Sequence, residues 1–328
     1  MTQINKNDFT DILPFFSKGS TLIIKPTSVC NFDCSFCSAK NMNIPLHDRV
    51  PQKLKDHIID LKPCNLIITG GEPLVNPRSY FEDLISIMDS LGNPDYNINI
   101  VSNLVLWYNE PEKYDYLFKH PNVTADTSFQ YGSDRKDDQV YTEDRFKKVF
   151  WDFYNRYGYK LSFIYVVNKN NEQYAIKAVE LAKELGTKAK LNCQIPSGRA
   201  TEYYPRYKLL DIYLKLIDLG LDKYESNTND RGNYICPFPK SYKYCEINNV
   251  AFVDKNEELI TGHCEEVMCS EGRLQIKPGS LFPKCMVCPM FSICNGCSQN
   301  RESLEPIKEE HCKWMKDHYE QLLKNRFL

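Results

Sequence analysis

Cys30, Cys34 and Cys37 stand in the run CNFDCSFC, three thiols separated by three and then two residues. Thiolate sulfur is a soft ligand, suited to zinc or to iron–sulfur groups. Three such ligands leave one iron of a four-iron cluster without a protein ligand, and catalysis at a metal needs an open position of that kind. The competing reading is a zinc site completed by a distant fourth ligand. A second group reads Cys285-x2-Cys288-x5-Cys294-x2-Cys297, then Cys312, with Cys236, Cys245, Cys264 and Cys269 upstream. Zinc ribbons usually separate their two CxxC pairs by a longer loop, so this spacing favours iron–sulfur ligation over a zinc module. Gly70-Gly71-Glu72-Pro73 is a third candidate. Two glycines let a ligand come close to backbone donors, and Glu72 can pair with an ammonium group. Alone, such a run is most often only a turn.

The elements that must position these residues are legible between about residues 21 and 197. Strand candidates are 21–27, 65–70, 97–102, 122–129, 160–167 and 190–196, alternating with helical patterns. One helix opens at Thr142 and stops at Gly158, and the next ends at Gly186. Six β–α alternations predict a parallel sheet covered by helices, open or curled into a partial barrel. Chemistry in such folds collects at the C-terminal ends of the strands. The first cysteine group follows the first strand directly, and Gly-Gly-Glu-Pro ends the second. Alternation on the fourth strand puts Thr124, Asp126, Ser128 and Gln130 on one face, and a polar row on a buried parallel strand points to a ligand cavity. The sixth strand separates Asn192 and Gln194 from Cys193 and Ile195. Cys193 is expected to pack beneath helices, with a pocket thiol as the alternative. Cys64, at the far end of the second strand, is expected to be structural. A helical stretch, YKLLDIYLKLIDLG, leads out of this unit. Beyond about residue 222 periodicity fades, Asn, Asp, Gly, Pro and Cys dominate, and metal sites are the expected source of stability.

Composition narrows the class. The 328 residues are 42% apolar and 26% charged, with a net charge of −2. No basic excess is available for a run of phosphates, which disfavours a nucleic-acid partner. No stretch approaches the ~20 apolar residues of a membrane span. The N-terminal MTQINKNDF lacks a signal-peptide pattern, so the cytoplasm is the expected location. The 14 cysteines are about 4% of the chain, too few for a disulfide scaffold, and without a secretory signal read as metal ligands.

Over roughly residues 21–197, Cx3Cx2C followed one β–α unit later by Gly-Gly-Glu-Pro resembles the radical S-adenosylmethionine (SAM) superfamily. The resemblance implies that the open iron chelates the amino and carboxylate groups of SAM. One-electron reduction then cleaves SAM to methionine and a 5′-deoxyadenosyl radical that abstracts a substrate hydrogen. It assigns Cys30, Cys34 and Cys37 to the [4Fe–4S] cluster, and Gly70, Gly71, Glu72 and Pro73 to the methionyl end of SAM. Phe36 is placed beside the adenine, and Ser102 and Asn103 near the ribose, although Ser-Asn-Leu replaces the usual Thr-Asn-Gly-like turn. Ser128 and Gln130 stand where related enzymes carry a serine and, two residues on, an aspartate.

The C-terminal half resembles the SPASM extension of peptide-modifying radical SAM enzymes such as the anaerobic sulfatase-maturating enzymes, and Ser197-Gly198-Arg199-Ala200 looks like the segment joining the two modules. The resemblance implies two auxiliary [4Fe–4S] clusters, one on Cys236, Cys245, Cys264 and Cys297, the other on Cys285, Cys288, Cys294 and Cys312. The last pair is CxxC where the family has Cx3C, Leu259 replaces a glycine, and Cys269 is an alternative to Cys264. His263 and His311 adjoin ligands but are read as packing or surface residues. The expected organisation is an extension over 1–20, a partial (β/α)6 TIM-like barrel over 21–200, a helical linker over 201–235 and a cysteine-rich SPASM-like domain over 236–328.

The expected function is oxidation or cross-linking of a residue in a ribosomally made peptide or protein, by an oxidoreductase drawing electrons from a donor such as flavodoxin or ferredoxin. With the first cysteine so near the start, a leader peptide would need a separate binding protein, or recognition at the cleft alone. The alternatives are a dehydrogenase or epimerase of a sugar- or aminoglycoside-like molecule, with Cys193 or Cys269 as hydrogen donor, and a non-catalytic zinc-binding adaptor.

Overall fold

In the computed structural model, which describes residues 21–194, 198–202, 204–229, 246–253, 256–263 and 305–327, short apolar runs become adjacent parallel strands. They are β1 (Thr21–Ile24), β2 (Asn65–Ile68), β3 (Asn97–Val101), β4 (Val123–Ser128), β5 (Phe163–Val167) and β6 (Ala189–Cys193), side by side in chain order. Parallel neighbours need crossover connections. Helices α1 (Gln52–Leu61), α2 (Arg78–Ser90), α3 (Val105–Asn109), α4 (Asp115–Phe118), α5 (Glu143–Tyr157) and α6 (Ala175–Leu185) supply them. Leu22, Ile24, Leu66, Ile68, Ile98, Ile100, Val123 and Ala125 are buried on the helix-covered face, while their neighbours along each strand are half exposed on the other. The sheet curls into the expected half-barrel. Thr142 caps α5 by accepting the Arg145 N–H at 3.3 Å, and Gly158 and Gly186 end α5 and α6 at φ +80° and +66°.

The first four expected strands run past the observed ones at their C-terminal ends, and the fifth starts ahead of the observed one. Residues 25–27 and 69–70 leave the ladder to form the loops that carry the site.

The sheet does not stop at six strands. Periodicity fades after about residue 222, yet β7 (Glu246–Val253) pairs in parallel with β1, Thr21 opposite Val250, and β8 (Leu259–His263) pairs antiparallel with β7. Neither run has a clear alternating pattern, so long-range pairing rather than local propensity selects these strands. The turn between them docks on α1, where the His57 ring lies 3.0 Å from the Glu257 carbonyl and Lys53 pairs with Glu258.

The other edge, β6, is sealed by side chains from α7 (Arg206–Asp218), from α8 (Ser226–Asn229) and from the residue before α8. Glu225, fully buried, accepts the Leu191 and Thr228 N–H groups at 2.9 and 2.7 Å, and Tyr213 and Asn227 donate to the Leu191 carbonyl. Sealing an edge in this way removes a template for intermolecular pairing. Burial pushes the Glu225 carboxyl up to about 7 from an ordinary 4.5. The folded state therefore holds this proton where the unfolded chain has released it. Its contribution is complete below the unfolded value and is lost as pH rises through about 7. Thermal unfolding should show stability falling between about pH 5 and 8, by an amount of order 3 kcal/mol. Glu225→Gln should flatten that slope, and an unchanged slope would rule the group out as its source.

Helices α9 (Glu305–Asp317) and α10 (Tyr319–Phe327) end the chain, with α9 packed on α7 through a 2.8 Å hydrogen bond from Tyr207 to Glu310. Among the described residues, no helix is long and apolar enough to cross a membrane.

Candidate active site

The loop after β1 carries Cys30, Cys34 and Cys37, all half-buried, and it is held by backbone contacts on several sides. Ser28 N–H and Oγ both donate to the Ile44 carbonyl, closing the base of the loop. The Phe32 N–H lies 3.3 Å from Cys30 Sγ. The segment after β4 braces the outer side: Asp134 accepts the Ser35 N–H and Lys136 O accepts the Asp33 N–H. Burial pushes the Cys30 thiol up to about 12 and the Cys34 thiol up to about 11, with nearby Arg135 pulling the latter down. Among the described residues, no three Cys, His or carboxylate groups converge as ligands of one ion would. Three soft, half-buried thiols on one loop are a donor set that suits an iron–sulfur group or zinc.

The Gly-Gly-Glu-Pro turn after β2 is locked to this loop. Gly71 N–H donates to Thr27 O at 2.9 Å and Glu72 N–H to Val29 O at 2.8 Å. A Cβ on Gly71 would stand 2.2 Å from Val29 O and 2.7 Å from Ser28 C. The chain itself comes close to these glycines, and the N–H groups of Gly71 and Glu72 are engaged by it.

Glu72 is the hub of the site. Its carboxylate, 1% exposed, accepts Ser102 Oγ–H at 2.6 Å, Leu74 N–H at 3.0 Å and Asn103 N–H at 2.8 Å. Oε2 holds only the Asn103 bond and keeps acceptor capacity for another donor. Burial raises the Glu72 pKa, against the pull of those three donors. Asn103 Nδ2 in turn donates to Asn31 Oδ1 at 2.7 Å, so one chain of hydrogen bonds ties the ends of β2 and β3 to the cysteine loop. Leu104 sits at φ +60°, a backbone region that favours glycine. Complete burial of its side chain and a 2.8 Å bond from its N–H to Ser102 Oγ hold it there.

Ser128, at the end of β4, accepts a 2.7 Å hydrogen bond from Arg135 Nη2. Arg135 is 6% exposed, lies 5.0 and 5.3 Å from the Phe32 and Tyr141 ring centres, and its Nε has no partner. Nothing in the sequence singles this residue out, because a lone arginine in a polar loop carries no signal until folding buries it. Gln130 is buried too, its Oε1 accepting the Val166 N–H at 3.2 Å. Phe36 is half-buried on the cysteine loop. Below these loops the inner wall is a polar ladder, in which Thr124 donates to Asn97 and Asn99 donates to Thr124 and Asp126. The expected polar row therefore faces the half-barrel interior.

The family model described as "Radical SAM superfamily" matches residues 24–193, which is 170 of the 328. The chain belongs to the radical SAM superfamily. Among curated proteins nothing matches. Among solved structures, the chain is similar to anSMEcpe with bound AdoMet, at a TM-score of 0.66 and 15% identity over 93% of this chain and 98% of that one. It is also similar to Streptococcus suis SuiB bound to precursor peptide SuiA, at a TM-score of 0.58 and 17% identity over 90% of this chain and 75% of that one. At these identities the likeness shows the fold.

In this radical SAM enzyme the fold thus brings together Cys30, Cys34, Cys37, Gly70, Gly71, Glu72, Pro73, Ser102, Asn103 and Ser128 at one end of the half-barrel. Cys236, Cys245, Cys264, Cys269, Cys285, Cys288, Cys294 and Cys297 lie outside the described residues. Cys312 lies half-buried on α9. Cys193 packs against the core as expected, and Cys64 accepts a hydrogen bond from Asn93 Nδ2.

Proposed function

We propose that this radical SAM enzyme removes a hydrogen from a residue of a ribosomally made peptide or protein, oxidising or cross-linking it. The observation that carries the reading is the single hydrogen-bonded unit formed by the cysteine loop, Glu72, Ser102 and Asn103, opening onto a polar inner wall. A [4Fe–4S] cluster on Cys30, Cys34 and Cys37, with SAM, supplies the hydrogen-abstracting radical when bound. Gly71 packs against the backbone that leads to Cys30 and so sets the loop's position. Glu72 offers Oε2 to the SAM ammonium. Arg135, oriented by Ser128, offers its unpartnered Nε to the SAM carboxylate, a charge-assisted bond in a water-poor place. Asn103 and Ser102 stand towards the ribose, Phe36 towards the adenine, and Gln130 stiffens the β4–β5 junction behind them.

The peptide class is supported by the shared fold with proteins whose structures hold peptides, SuiB with SuiA and anSMEcpe with its Cp18Cys peptide. Two auxiliary clusters belong to the same proposal, on Cys236, Cys245, Cys264 and Cys297 and on Cys285, Cys288, Cys294 and Cys312. Supporting this, β7 begins directly after Cys245 and β8 ends directly before Cys264, with Glu246 opposite His263. A flavodoxin- or ferredoxin-like donor and a leader-peptide-binding protein complete it. A polar wall suits a sugar-like molecule as well, and mass spectrometry of candidate peptides and small molecules after anaerobic incubation with SAM and reductant separates the two.

Anaerobically purified protein should be brown, with about twelve iron and twelve sulfide per chain if three clusters form. Reductive cleavage of SAM to 5′-deoxyadenosine should disappear in Cys30→Ala. Colourless protein with stoichiometric zinc would sink the proposal. Arg135→Gln should keep its iron but bind SAM at least about tenfold more weakly, the worth of one charge-assisted bond. Equal affinity in titration calorimetry would remove Arg135 from the SAM site.

A further inference from the structure

β1 and β6 lie at opposite ends of the six-strand row, yet the loop after β1 meets the segment after β6. Gly198 lies at φ +63° where three carbonyl oxygens converge. A Cβ there would stand 2.5 Å from Cys37 O, 2.5 Å from Lys40 O and 2.7 Å from Ser38 O. All three are backbone atoms that cannot swing aside, and real Cβ contacts do not fall that short. The next residue adds a directional bond, Arg199 N–H to Cys37 O at 3.0 Å. The Arg199 guanidinium reaches Asp33 at 2.7 Å, and Lys40 reaches the same carboxylate at 3.4 Å. Asp33 is 61% exposed, so these ion pairs contribute little beside the backbone contacts.

We propose that Gly198 and Arg199 are positioning residues for the third cysteine: the segment leaving β6 clasps the carbonyls of Cys37, Ser38 and Lys40 and so fixes where the Cys37 thiol stands. The inference rests on the reading of Cys30, Cys34 and Cys37 as the cluster ligands. Gly71 holds the stem of the loop before Cys30, and Gly198 holds its far side after Cys37. Both are places where only a residue without a side chain lets two backbones touch. The second contact also closes the half-barrel at its chemical end, joining the first β–α unit to the last.

The test compares full-length Gly198→Ala, the double variant Arg199→Ala with Lys40→Ala, and Gly220→Ala. Gly220 has nearly the same φ, +65°, and a Cβ there would meet nothing within 4 Å, so it isolates backbone strain from the clash. Amide hydrogen exchange is followed in the metal-free proteins, and the electron paramagnetic resonance signal of the reduced, reconstituted proteins is recorded with and without SAM. Exchange across residues 33–42 should rise at least about tenfold in Gly198→Ala, less in the double variant and not at all in Gly220→Ala. The SAM-dependent signal should be altered or lost in the same order. If Gly198→Ala folds and matches wild type in both readouts, the proposal is overturned. If that variant fails to fold, the wild-type Arg199 amide decides, since its bond to Cys37 O predicts protection, and exchange at the rate of a free loop amide overturns the proposal. A wild-type protein that takes up no iron would defeat the cluster reading instead, with the exchange data still deciding the clasp.

Discussion

Gly71→Ala should prevent cluster assembly while leaving the outer half-barrel folded. The added methyl group would stand 2.2 Å from Val29 O and 2.7 Å from Ser28 C, so the backbone before Cys30 must retreat. Retreat breaks two bonds, Gly71 N–H to Thr27 O and Glu72 N–H to Val29 O, at 2.9 and 2.8 Å. Two lost hydrogen bonds and one overpacked contact together cost about 2–5 kcal/mol. That is within reach of a domain's total stability, but its structural effect is local, because Leu22, Ile24, Leu66 and Ile68 remain packed under their helices. The expected result is a protein with near-native far-UV circular dichroism, a lowered urea midpoint and about four fewer iron atoms per chain than wild type. Iron content equal to wild type would show that the loop tolerates the displacement.

Glu72→Gln should be the most damaging change that adds no bulk. The carboxylate accepts three donors and offers none, whereas the amide must present an NH2 group to one of them. A buried donor facing a donor costs about 1–3 kcal/mol in stability. With Glu72 as the proposed partner of the SAM ammonium, the effect on SAM is larger, since that ammonium loses its carboxylate. Affinity should fall about a hundredfold, the equivalent of about 3 kcal/mol for a charged hydrogen bond. A pH signature separates this from mere destabilisation. Burial raises the Glu72 pKa above its ordinary 4.5, and a bound ammonium lowers it again. Binding therefore releases a proton, and SAM affinity in wild type should rise with pH through that raised value and then level off. In Glu72→Gln the dependence should vanish. Calorimetry in two buffers of different ionisation enthalpy measures the proton count directly.

These two changes act on one unit. The stem of the cysteine loop rests on Gly71, and the hub that joins β2 to β3 rests on Glu72, one residue later. A short turn therefore ties the stem of the cysteine loop to a buried carboxylate.

The family's chemistry was legible in the amino-acid sequence because it depends on residue type at short spacing. Cx3Cx2C, Gly-Gly-Glu-Pro and six β–α alternations are local patterns, and each survives in the fold as a loop at a strand's C-terminal end or as the strands and helices themselves. The polar row on β4 was legible for the same reason, since alternation along one strand decides which side chains share a face. Four other features were decided only by tertiary structure. Arg135 becomes a site residue because Phe32 and Tyr141 close around it, the first of them distant in sequence. The chain itself comes close to both glycines of the Gly-Gly-Glu-Pro turn, which no motif reports. Strand β7 exists through pairing with β1, across more than two hundred residues of chain, and β8 through pairing with β7. Gly198 finds its carbonyl cradle in a loop that follows the opposite edge strand of the six. Each depends on contacts between segments far apart in the chain, and the free energy of such contacts is set by the packing of the whole half-barrel, not by the composition of either segment.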